Sequence, residues 1–120
     1  MRILAVMLLS SLCSNSAFSF SAAELFTYCR LAISERPAGR TDIALMEGIC
    51  LGTVSAIPHA IEFFARERNV KPSICLPARV TRQQLALITL KYIDENPQTH
   101  HLPAEVAATR AIAAAFPCKD

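Results

Sequence analysis

Five cysteines and three histidines are the residues of this 120-residue chain best suited to chemistry. Cys13 sits in an apolar N-terminal stretch, and Cys29, Cys50, Cys75 and Cys118 follow it. A dithiol redox centre needs two cysteines in a Cys-x-x-Cys at a helix start, where the local field lowers one thiol pKa. No such motif occurs, and Cys-x-x-Cys-His for haem attachment is missing too. Zinc sites use closely paired ligands, whereas these cysteines are more than twenty residues apart from one another after the first stretch. His100 and His101 are adjacent, so their rings diverge and they do not hold one ion without a third ligand. His59 follows Pro58 and reads as structural. There is no Gly-x-Ser-x-Gly elbow, Gly-rich phosphate loop or His-Glu-x-x-His, hence no assembled nucleophile, base and oxyanion hole. The expectation is a protein with no catalytic residues, no metal and no cofactor.

The cysteines therefore read as structural, and the compartment must allow that. Arg2 precedes an apolar run of about ten residues, and a small, polar stretch from Cys13 to Ser21 follows. This is the order of a secretory signal peptide, too short to span a bilayer, which takes about 20 apolar residues. Small residues permit cleavage after Ser21 or Ala23. The expected organisation is a signal peptide over 1–23 and one domain over 24–120. Leu12 before Cys13 argues against a lipid anchor, which wants a small residue there. No later segment reads as long and apolar enough to cross a membrane. Loss of Arg2 leaves eleven basic against ten acidic residues. Charges are interspersed, as in Glu62, Arg66, Glu67 and Arg68, and not clustered as a nucleic-acid binder requires.

The elements that must position the cysteines read as helices. Leu25, Tyr28, Cys29 and Ala32 recur at helical spacing over 22–35, and Pro37-Ala38-Gly39 stops that helix. A second helix is expected over 42–68, N-capped by Thr41. Its stripe is Ile43, Met46, Ile49, Cys50, Thr53, Val54, Ile57, Ile61 and Phe64. Gly48 and Gly52 share a face, which suggests a close helix contact, and Pro58 is expected to kink or break the helix. Thr81-Arg82-Gln83-Gln84 is a capping box that opens a third helix. Its stripe is Leu85, Ile88 and Tyr92, with Leu87, Leu90 and Ile93 at its flanks, and Asn96-Pro97 ends it. Pro103 suits the start of an alanine-rich fourth helix that runs to about 115. The fold class is all-α, a small disulfide-stapled bundle of four to five helices.

Four cysteines allow three pairings. Helices one and two form an antiparallel hairpin, with Cys29 about nine residues before the turn and Cys50 about twelve after it. At a rise of 1.5 Å per residue they reach similar heights. Cys75 precedes helix three and Cys118 follows helix four, so an antiparallel pair brings them together. The expected disulfides are Cys29–Cys50 and Cys75–Cys118.

The ordered set Tyr28-Cys29, Gly48-Ile49-Cys50-Leu51-Gly52, Cys75-Leu76-Pro77, Val80-Thr81, Tyr92-Ile93-Asp94-Glu95-Asn96-Pro97 and Phe116-Pro117-Cys118 resembles the Rap/Tai family of immunity proteins for type VI secretion amidase effectors. Two departures are Ile49, where the family pattern often has an aromatic, and Ala78-Arg79, where a glycine is expected. The resemblance implies a helical periplasmic protein that plugs the groove of a papain-like peptidoglycan amidase and does no chemistry itself. Members can act as dimers, so a homodimer is left open.

Those motifs are fold residues and name no toxin-facing side chain. The residues themselves suggest one surface: a groove inhibitor needs a rigid projection, and the tip at 94–102 is polar and proline-braced. Glu95, Asn96, Gln98, His100 and His101 are the expected partner contacts, and the loop at 69–73 is the second candidate. The alternative reading is a small periplasmic stress chaperone of disulfide-bonded helical type.

Overall fold

The computed structural model describes residues 19–34 and 39–119. Cys13, most of the leader, Pro37 and Ala38 lie outside the described residues. Four helices follow in order: α1 (Ala22–Ile33), α2 (Thr41–Glu67), α3 (Arg82–Glu95) and α4 (Ala104–Ala115). A 3-10 turn, Pro97–Thr99, joins the last two. No strand occurs among the described residues, and a single antiparallel bridge pairs Ser21 with Pro103.

Helix α1 forms because its first turn is fully provided for. The Ser21 hydroxyl accepts from the Glu24 amide (3.3 Å), and Glu24 Oε2 accepts from the Ser21 amide (2.7 Å). Leu25 and Cys29 are buried on its inner face, with Tyr28 and Ala32 packed beside them. Helix α1 packs against α2, α3 and α4.

Helix α2 differs from the expectation in five respects. Its N-cap is Arg40, with no side-chain cap bond, and Thr41 is already helical. Arg40 donates to Asp42 instead, at 3.0 and 2.7 Å. Pro58 does not break the helix, which runs unbroken for 27 residues with Val54, Pro58 and Ala65 buried along its inner face. Packing outweighs the one hydrogen bond that a proline removes. Because the helix is continuous, it is long and apolar enough to cross a membrane by length and composition, contrary to the sequence reading. Here it is tied into the core by Cys50 and packs on the other three helices. The glycines also depart from expectation: Gly48 and Gly52 are exposed, and nothing lies within 4 Å of a Cβ built on either. The expected stripe holds at Cys50 and Val54 and fails at Phe64, which is 58% exposed while Ala65 is buried. The stripe rotates by one position near the end of the helix.

Helix α3 begins at the expected capping box, with Thr81 amide to Gln84 Oε1 at 2.7 Å and Gln84 amide to Thr81 Oγ1 at 3.1 Å. Its buried face is Leu85, Ala86, Thr89, Leu90 and Ile93. Ile88 and Tyr92 lie at the edge, so the face is rotated from the expected stripe. Thr89 Oγ1 is buried with no hydrogen-bond partner. In α4, Ala107, Ala108, Ala111 and Ile112 are buried. Pro103 is the N-cap residue, one position before the helix.

The disulfides are Cys29–Cys50 and Cys75–Cys118, with Cα atoms 5.1 and 4.9 Å apart, inside the usual bridging range. They are the pairs that helix heights indicate. Cys29 and Cys50 are wholly buried, whereas Cys75 is exposed.

Candidate partner-binding surface

Residues 96–103 close α3 onto α4 with few residues and many bonds. Asn96 caps α3, its amide donating to the Ile93 carbonyl (3.3 Å). The amides of Thr99, His100 and Leu102 donate to the carbonyls of Asn96, Pro97 and Thr99 at 2.8, 3.2 and 3.0 Å. Thr99 is buried, and its hydroxyl donates to the Asn96 carbonyl at 2.7 Å.

The tip is also clasped from outside. The Ala22 amide donates to the Leu102 carbonyl (2.9 Å), and the Ala23 amide to the His100 carbonyl (3.3 Å). In return the Ala104 amide donates to the Phe20 carbonyl (2.9 Å). The first amides of any helix lack intrahelical partners. Here the starts of α1 and α4 satisfy each other through the tip and the segment before α1. Phe20 stacks near Tyr28, ring centroids 5.9 Å apart. A cut after Ser21 would remove the α1 capping box and the Ala104–Phe20 bond, and a cut after Ala23 would remove the Ala22 and Ala23 bonds as well.

The five candidate contacts divide accordingly. Asn96 is internal bracing: its Nδ2 donates to the Tyr92 carbonyl (2.8 Å), and its Oδ1 accepts from Gln98 Nε2 (3.1 Å). His100 Nε2 lies 3.1 Å from the Ile93 carbonyl. A carbonyl only accepts, so that nitrogen carries a proton. Glu95 pairs loosely with Lys91 at 3.6 Å across one helical turn. His101 is exposed and has no partner among the described residues. The structure thus brings all five onto one rigid turn. It leaves His101, the Gln98 carbonyl oxygen and Glu95 to face outward.

The other loop is built differently. Helix α2 ends with Asn69 in the left-handed region (φ 52°), the Asn69 amide donating to Arg66 and the Val70 amide to Ala65. This is a Schellman closure. It leaves Phe63, Phe64 and Val70 each more than half exposed, with the two phenyl rings edge to face at 5.6 Å. Sequence reasoning missed this apolar projection because it placed Phe64 on the buried stripe. The adjacent pair Phe63-Phe64 carried the signal, since one helix face cannot bury both. On the turn beside it, Glu62 and Arg66 form an ion pair. Among the described residues no group of three or more His, Cys, Asp and Glu could hold a metal ion.

The described residues thus form a stapled all-helical bundle with a braced polar tip. The chain matches the Rap1a immunity proteins over residues 21–118 and belongs to that family. No curated protein and no solved structure matches it. Membership implies a cognate effector as partner, and the two disulfides are compatible with an extracytoplasmic protein.

Proposed function

We propose that this protein is a periplasmic, non-enzymatic immunity protein that binds and inhibits a type VI secretion peptidoglycan amidase, a papain-like cysteine hydrolase, and so protects the producing cell. Family membership across nearly the whole described fold carries the reading. The tip supports it physically: a turn whose backbone is already bonded loses little entropy when it enters a groove. Glu95, Gln98 and His101 make the outward contacts in this proposal, while Asn96 and His100 hold the turn in shape.

The outward face of α2 supports a homodimer within the same reading. Leu45, Gly48, Gly52, Ala56 and Phe63 are all exposed along it, and the two glycines let a second helix come close. Export precedes folding in this proposal, with the leader cut upstream of Ser19 so that Phe20 and Ser21 stay in the mature protein. N-terminal sequencing reads that position directly.

Co-purification of the mature chain with a small Cys-His amidase encoded beside it tests the partner. Inhibition assays with Glu95, Gln98 and His101 changed to alanine test the surface. Loss of inhibition by at least tenfold in a folded variant is expected, and full inhibition removes the tip from the reading. Holdase activity without amidase binding would instead favour a chaperone.

A further inference from the structure

A cleft of about 460 Å³ opens between the second half of α2 and the segment that leads into α3. Its apolar floor includes Pro58, Ile74 and Leu76, and its charged lining is His59, Glu62, Arg79 and Arg82. Glu62 is engaged by Arg66. Neither Arg79 nor Arg82 has an ion-pair partner among the described residues. The cleft therefore carries an unbalanced positive rim over an apolar floor.

Two further observations concern the same spot. Arg79 has φ 74°, in the left-handed region where a Cβ is disfavoured and glycine is at ease. The chain places its longest cation on a backbone position that would be easier without a side chain, and such positions concentrate where function holds them. Arg82 is the first residue of α3, whose first turn contains no acidic residue. The positive end of the helix dipole and its first free amides thus lack their usual side-chain counter-charge.

We propose that this cleft binds a terminal carboxylate, that of a peptide ending in an apolar residue. Arg79, Arg82 and the start of α3 take the charge, and Ile74 and Leu76 take the side chain. A carboxyl-terminal residue carries both groups on one carbon, which matches cations set directly beside an apolar floor. An acidic side chain has no apolar branch at that point. The inference is independent of the effector reading, since it concerns a different surface from the tip.

The test is titration of the full mature, disulfide-bonded protein, followed by amide NMR. N-acetyl-leucine is the probe, with N-acetyl-leucinamide and acetate as neutral and side-chain-free controls. Saturable shifts at Arg79, Thr81, Arg82 and Gln83 are expected with N-acetyl-leucine, and at least tenfold weaker binding with either control. Equal binding of the amide, or of acetate, overturns the proposal. Arg79→Gly is expected to weaken the probe at least tenfold while the melting temperature holds or rises. Arg82→Gln gives a second reading that leaves the backbone untouched. Unchanged affinity in both variants also overturns it.

Discussion

The two ends of the α3–α4 hairpin are held by opposite means. At the tip, successive backbone groups find partners, from within the turn and from the segment before α1. At the other end the chain is joined by Cys75–Cys118 and a single flanking bond, the Cys75 amide to the Phe116 carbonyl at 3.0 Å. A network fixes shape by spending polar groups. A covalent staple fixes position with fewer bonds between the two helices. In the proposals above, the tip presents a fixed shape to a partner and the stapled end offers charge.

Removing the staple should give the largest effect and keep it at one end. Cys75→Ser with Cys118→Ser is expected to lower stability by about 2–4 kcal/mol, measured by urea unfolding. Hydrogen exchange at Thr99, His100 and Leu102 should stay as slow relative to the global rate as before. Accelerated exchange at those amides would mean that the ends are not independent.

The two capping boxes offer the next comparison. Ser21→Ala and Thr81→Ala each remove one helix cap, worth about 1 kcal/mol. Only Ser21→Ala should also loosen the tip, because only α1 begins against it. Equal exchange rates at Ala22 and Ala23 in the two variants would break that link.

Thr89 tests the core between the ends. Its hydroxyl is buried without a partner, so Thr89→Val should raise stability by about 1 kcal/mol with both ends unchanged. A loss of stability would show that the hydroxyl is satisfied after all.

Acid gives the smallest and most selective effect. The bonds from the Ser21 amide, and then its hydroxyl, hold the Glu24 carboxyl below its ordinary value of 4.5. A carboxylate with a depressed folded pKa adds stability above its unfolded value, and that stability is lost as pH falls through the folded one. Asp42 behaves likewise, lowered from 3.8 to about 2 chiefly by its hydrogen bond from Arg40. The Thr81 box uses neutral Gln84 and has nothing to titrate. Below about pH 4.5, amide exchange should quicken at the start of α1 and not at the start of α3.

Much of this was legible in the residues because it is local. Thr81 and Gln84 announced a helix start, and Asn96-Pro97 its end. The cysteine pairs followed from rise per residue. The family was legible in the short motifs around those cysteines. The misreadings of the buried faces share one cause, which is that burial belongs to neighbours and not to periodicity. Phe64 lies outside and Ala65 inside, and Gly48 and Gly52 face open space. Pro58 stays helical because its face is buried. Among the tip candidates, type and location were readable, but not that Asn96 is bound inward while His101 is left outward.

By itself the sequence determined the class of protein: helices from apolar spacing and caps, and staples from cysteine position. Only the tertiary structure decided which polar groups are already spent. A hydrogen bond between Ala23 and His100, or a cleft lined by both Pro58 and Arg79, joins residues far apart in the chain. Local sequence carries no information on such distances, and packing alone sets them.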